Sequence, residues 1–305
     1  MNERVGVIGF LIAQCEMRVP PLARRAVLVQ ALSLSAVSWP FRATASFPDR
    51  LRARYILLRP GETTFEAARM VDSNPINKQQ TERGLTSQGI LQVERSVKEL
   101  KDVRKIMSPQ IFYDNGVRAS QTAEIVSKGL SVPRRDVEPE FRWLEARGLG
   151  ALDGTDLRTA TLKLRALDAL DIDNAAEPTD DGTPADSVNE VYSRLRNTIS
   201  KIENTYGGGD FVIIGGDATV LSVFAAAACG VDLREHSRFE LPPGDYWDLR
   251  ELVRDWKAGT FEPKVVSLPS EMEARQGRAA LNDMGASRLF AESAAGSCLC
   301  CSCSR

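Results

Sequence analysis

The stretch Ala53-Arg-Tyr-Ile-Leu-Leu-Arg-Pro-Gly-Glu-Thr-Thr-Phe-Glu66 decides the fold. An apolar run, Tyr55 to Leu58, stops abruptly at Arg59-Pro60-Gly61-Glu62-Thr63. A buried parallel strand that hands its loop to a site reads in this way. The loop carries an arginine suited to anions, a flexible glycine and a hydroxyl, but no evident nucleophile. Further short apolar runs follow at 111–113 and 211–214, each bounded by Gly, Asp or Pro. Between the runs lie amphipathic helices. Ile90, Val93, Val97 and Leu100 share one helical face, as do Val188, Val191, Tyr192, Leu195, Ile199 and Ile202. Ser187 and Glu190 form a candidate capping box at the start of the second helix, and Gly207-Gly208-Gly209 marks a turn into the next strand. Alternating β and α predicts a three-layer αβα fold with a mostly parallel sheet. The loops after Leu58, around 114–118 and at 215–217 then converge beyond the carboxyl ends of the strands.

The chain has 305 residues, ample for a sizeable core, and a net charge of −2, which points away from general nucleic-acid or membrane-surface binding. It contains one histidine, His236, read as a surface or capping residue. Residues 1–45 read as a leader. Their acids are Glu3 and Glu16, against Arg4, Arg18, Arg24, Arg25 and Arg42. Arg24-Arg25, an apolar stretch and Ala43-Thr44-Ala45 suggest a twin-arginine signal behind a transit peptide, and hence chloroplast targeting to the thylakoid lumen. The alternative is an N-terminal extension without a targeting role. No stable membrane span is expected. The main domain is expected over 46–262, followed by a surface helix and a Cys-rich tail over 263–305. That tail holds Cys298, Cys300, Cys301 and Cys303; a metal or disulfide role and a tail without function both stay open. Cys229 lies in an apolar run and reads as core. The Asp-rich segment 166–186 lacks calcium-loop spacing and reads as a solvated insertion. No metal or other cofactor is implied.

Several segments, in order, resemble the histidine phosphatase superfamily, also called phosphoglycerate-mutase-like. Arg59-Pro60-Gly61-Glu62-Thr63 is similar to R-H-G-E/Q-T. Leu85-Thr86-Ser87-Gln88-Gly89-Ile90-Leu91-Gln92 follows L-T-x-x-G-x-x-Q. "DNGVRASQTA" resembles S-D-L-x-R-A-x-Q-T-A, with Arg118, Gln121 and Thr122 in place. "WLEARGLGALDG" resembles L-x-E…G…G, with Glu145 at the acid position and one extra residue before Gly150. Ile214-Gly215-Gly216-Asp217 stands at V-S-H-G. The resemblance covers roughly 55 to 255 and implies phosphate binding by Arg59 and Arg118.

The departures carry the functional expectation. The family's attacking histidine is Pro60 here, its second histidine is Gly216, and its following asparagine is Glu66. Proline offers no side-chain heteroatom, so the family's phosphohistidine chemistry is expected to be lost. The expectation is a catalytically impaired binding or regulatory protein, with a phosphorylated ligand or a protein as partner. The alternative is an active phosphatase with a substitute nucleophile, Asp217 first, and Glu145 as general acid. Arg59 and Arg118 either hold an anion or pair internally, with Asp217, Glu66 and Glu145 as the candidate carboxylates.

Overall fold

The computed structural model describes residues 51–140 and 142–296, with side chains through residue 283. The leader, and with it the targeting reading, and the terminal cysteine cluster lie outside the described residues.

Five short strands build one sheet: β1 (Arg54–Leu58), β2 (Gln110–Asp114), β3 (Val137–Glu140), β4 (Asp210–Ile214) and β5 (Tyr246–Asp248). Their order is β3-β2-β4-β1-β5. All neighbours are parallel except β5, which runs antiparallel to β1. The alternation of side chains along β1 explains its unbroken apolar run. Tyr55 and Leu57 enter one core cluster with Phe211, Ile213 and the helices α5 (Val188–Tyr206), α6 (Ala218–Cys229) and α7 (Leu249–Ala258). Ile56 and Leu58 enter the other, with Val212, Ile214 and the helices α2 (Ser87–Asp102) and α3 (Val117–Gly129). Both sheet faces are covered, so the central strands β1 and β4 are apolar from their second residue onward, Tyr55–Leu58 and Phe211–Ile214. Three further α-helices lie among the described residues, α1 (Thr64–Ala67), α4 (Leu157–Leu170) and α8 (Glu271–Gly296), with short 3-10 helices between elements, one of which (Leu233–Phe239) carries His236.

The expected helix signals hold, with local corrections. Ser187 and Glu190 form the predicted reciprocal cap, and Gly207, Gly208 and Gly209 all take positive φ before β4. Cys229 is a buried free thiol. On α2, Val93, Val97 and Leu100 are buried, but Ile90 at the first turn is 39% exposed. The Asp-rich segment is not solvated throughout: its first part completes α4, where Asp168 is 2% exposed. His236 is likewise no surface residue, at 3% exposed. Among the described residues, no helix is long and apolar enough to cross a membrane.

Candidate active site

The carboxyl ends of β1, β2 and β4 deliver the three predicted loops to one end of the sheet. The first loop is knitted to the start of α2. A side chain on Gly61 would put Cβ 2.2 Å from the Gly89 carbonyl oxygen, and one on Gly89 would meet the Glu62 carbonyl oxygen at 2.2 Å. Neither position has room for a side chain beside the facing backbone, which is why both motifs carry glycine. The Glu62 amide donates to Gln92 Oε1 at 2.9 Å, and the Thr86 hydroxyl donates to Glu62 Oε1 at 2.8 Å. Thr63 is more than a loop hydroxyl: it caps α1 in a reciprocal box with Glu66. Gln121 accepts from the Leu85 amide at 2.7 Å. Pro60 fits the same loop, its carbonyl accepting from the Gly244 amide at 2.8 Å while the Arg59 amide donates to Asp245 O at 2.9 Å.

Arg59 and Arg118 already have partners. Arg59 Nη2 lies 2.6 Å from Glu66 Oε1, and Nη1 donates to the Leu241 carbonyl. Burial pushes the Glu66 carboxyl upward, but Arg59, the Thr63 amide and Arg118 outweigh it and hold the group below its ordinary range. Arg118, in the first turn of α3, donates through Nη2 to Asp72 O at 3.1 Å and places Nη1 3.7 Å from Asp72 Oδ2. Arg83 grips the same Asp72 carboxylate. Of the candidate carboxylates Asp217, Glu66 and Glu145, only Glu66 pairs directly with a site arginine.

Glu145 instead meets a cation the motifs did not reveal. Lys78 Nζ donates to Glu145 Oε1 at 2.6 Å and stands 3.7 Å from Asp114 Oδ1. Asp114 is buried, and its Oδ1 has no hydrogen-bond partner. Burial raises its pKa, while Lys78, the Gly116 amide and Arg118 pull the other way and do not fully offset it. Arg118 thus acts on both Glu66 and Asp114, so the groups form one continuous patch. Arg59, Lys78, Arg83 and Arg118 stand opposite Glu66, Asp72, Asp114 and Glu145. Full ionisation leaves the patch neutral, a poor starting point for binding a dianion.

The third loop has no room for a side chain at its centre. A Cβ on Gly216 would lie 2.3 Å from the Ala146 amide nitrogen and 2.9 Å from Ala146 Cα. The Gly216 amide donates to Leu144 O at 2.8 Å. Asp217 caps α6: its Oδ1 accepts from the Val220 amide at 2.9 Å and its Oδ2 from the Arg147 amide at 3.3 Å. The loop carrying Glu145 is therefore clamped against Gly216 and Asp217.

That clamp is anchored inward by Arg147, which sequence reading passed over. Its guanidinium makes two 2.8 Å bonds to the Asp168 carboxylate and a 2.9 Å bond to Asp186 O. His236 Nε2 lies 3.1 Å from Asp168 Oδ2, and its Nδ1 lies 2.8 Å from Ser222 Oγ. Burial drives the Asp168 carboxyl upward, but His236 and Arg147 overcome this and hold it below its ordinary range. The Ser-His-Asp sequence of contacts is not a nucleophile arrangement. Ser222 is fully buried, and its oxygen also lies 3.0 Å from Thr219 O. Among the described residues, no group of three or more His, Cys, Asp or Glu is placed to hold a metal ion.

Comparison with known proteins agrees with this architecture. Among solved structures, the chain is similar to mycobacterial hydrolase 1, with 16% identity, TM-score 0.50, and coverage of 64% of this chain and 89% of that one. It is also similar to Bacillus stearothermophilus YhfR (21% identity, TM-score 0.49, 64% and 89% covered). A third is a putative alpha-ribazole-5'-P phosphatase from Escherichia coli (18% identity, TM-score 0.48, 64% and 88% covered). No curated protein matches. The family model of the histidine phosphatase superfamily, branch 1, matches residues 55–262, more than half of the chain. The chain belongs to the histidine phosphatase superfamily.

Proposed function

We propose that this protein is a catalytically impaired histidine phosphatase that serves as a binding or regulatory protein. One observation carries the reading: the only histidine in the chain is His236, which is buried and held between Asp168 and Ser222. Phosphohistidine chemistry needs an imidazole that a substrate can reach, and this one is packed into the interior. The position expected for the nucleophile is Pro60, and the space a side chain on Gly216 would need is taken by the backbone of Ala146. Asp217, the substitute nucleophile considered from sequence, has both carboxylate oxygens engaged by backbone amides. The internal pairs of Arg59 and Arg118 further support a site that does not turn over phosphate esters.

The test is a phosphatase assay on the purified chain, with a chromogenic aryl phosphate and a panel of sugar phosphates and phosphopeptides. The expected outcome is no turnover above that of the Arg59→Ala variant. Turnover that disappears with Arg59→Ala, or a trapped covalent phospho-enzyme, overturns the reading. The basic, acid-poor residues 1–45 support a chloroplast destination, in the thylakoid lumen. Import of a reporter fused to these residues into isolated chloroplasts tests it: lumenal, processed reporter is expected, and exclusion from the organelle refutes it.

A further inference from the structure

The family match ends at residue 262, yet α8, beyond it, is seated on the element that follows the first site loop. That element, α1, is a single turn of four residues with none fully buried. So short a helix has little stability of its own, and its position depends on what packs against it. Gly277 of α8 approaches it so closely that a Cβ would lie 2.7 Å from the Ala67 carbonyl carbon and oxygen and from the Ala68 nitrogen. Arg278 Nη1 donates to Ala68 O at 3.1 Å, satisfying a carbonyl at the end of α1. Glu271 holds this arrangement from both sides, with Arg278 Nη2 at 2.8 Å and Arg69 Nη1 at 2.9 Å. Arg69 continues to Asp156 at 3.2 Å. Ala274 is fully buried, so α8 does not lie loosely on the surface here. Glu273, paired with Ser270 in a reciprocal cap, lies near enough to Glu62 to raise its pKa, alongside the larger effect of burial.

Adjacent to these contacts on the same turn is Glu66, the third residue of α1 and the partner of Arg59. We infer that α8 is an autoinhibitory strap: seated on α1 through Gly277, Arg278 and Glu271, it keeps Glu66 on Arg59 and excludes phosphate, and its displacement opens the Arg59–Arg118 site to a phosphate-bearing ligand. The inference rests on the reading that these arginines are a phosphate grip occupied from within. The occupancy of a site paired with its own carboxylates then follows the position of α8.

The test uses the full chain and inorganic phosphate as probe. Gly277→Leu places a side chain into the Ala67 carbonyl and unseats α8; the double variant Glu271→Ala/Arg278→Ala removes the polar clasp without a steric insertion and decides the matter if the first misfolds. Amide exchange is followed in peptides covering 64–71, with phosphate affinity measured by calorimetry. Apparent affinity scales with the fraction of open molecules, so exchange and affinity should rise together, by roughly tenfold or more. Adding Arg59→Ala should abolish the gained binding. Unchanged exchange in both variants overturns the strap, as does faster exchange with unchanged phosphate affinity, or gained binding that survives Arg59→Ala. Failure of the catalytic reading shows separately, as turnover by the native chain.

Discussion

Replacing Glu66 by Gln isolates the internal pair that occupies Arg59. Glutamine has the same shape and keeps an acceptor for the Thr63 amide, so the cap of α1 survives while the charge is lost. Arg59 Nη2 and Glu66 Oε1 are 2.6 Å apart, on side chains 11% and 21% exposed. Unit charges about 4 Å apart interact by roughly 4 kcal/mol at an effective dielectric near 20. A charge-assisted hydrogen bond contributes a net of only about 1.5–3 kcal/mol after solvation. Glu66→Gln removes this competition and the repulsion a phosphate meets, so affinity for inorganic phosphate should rise about 10- to 100-fold. Calorimetric titration at low ionic strength and neutral pH measures it, with Glu66→Gln/Arg59→Ala as the control that returns binding to baseline. Affinity within twofold of the native chain refutes the reasoning. The pH dependence adds a check. Glu66 titrates below its ordinary value of 4.5, so it stays ionised at pH 5 and mild acid should not reproduce the variant. A depressed carboxylate stabilises the fold above its unfolded pKa, and that contribution fades as pH falls through the folded value. The variant should therefore be less stable than the native chain at pH 7, and the gap should narrow as pH falls from 4.5 through the lower folded value.

Asp114 has the opposite sign: its folded pKa is raised above 3.8, so ionisation opposes folding as pH rises through the folded value. Asp114→Asn should stabilise the chain by about 1 kcal/mol at pH 8 and by nothing below the unfolded pKa, as read from urea midpoints; a loss of stability at pH 8 refutes this. Arg147→Met leaves Asp168 buried with His236 alone, and breaking such a pair costs about 3–5 kcal/mol. Melting should fall by roughly 6–20 °C, with Arg147→Met/Asp168→Asn costing less than the two single losses added; a drop under about 2 °C counts against a structural role for the pair. Pro60→His should fold but hydrolyse no phosphomonoester, whereas Pro60→His/Gly216→His should also lose stability, because the second side chain has no space beside Ala146. Measurable turnover by either variant contradicts the account.

The fold was legible because its signals are local and repeated. Buried strands demand continuous apolar runs, and helices such as α2 and α5 carry their faces and caps in sequence. Arg59, Arg118, Glu145 and Asp217 were found because motif spacing marks them. Their partners were not. Asp72 lies between elements, in a stretch with no periodicity, and meets Arg118 across 46 residues. Lys78 reaches Glu145 across 67. Arg147 and His236 meet on Asp168 from separate segments, so a histidine that reads as polar is interior. Pairings of this kind depend on the tertiary path of irregular loops, and no residue type or spacing encodes them.

The geometry also separates what the shared motifs do for folding from what they do for chemistry. Gly61, Glu62 and Thr63 lock to Thr86, Gly89, Gln92 and Glu66 through close backbone approach and hydrogen bonds. Each of these contacts survives with proline at position 60, so the loop keeps its path with no imidazole in it. Gly216 differs in kind. There the backbone of 144–147 has closed onto the position, and Arg147 ties that loop to a buried carboxylate. A side chain can be restored at Pro60 by substitution alone; at Gly216 it also requires the Glu145 loop to withdraw from its anchor. On the proposed reading, the family's chemistry meets two obstacles, one a missing atom at Pro60 and the other a packed backbone at Gly216. The charged part of the site differs, because there Glu66 rides on a single helical turn and its pair with Arg59 is the contact the strap proposal makes adjustable.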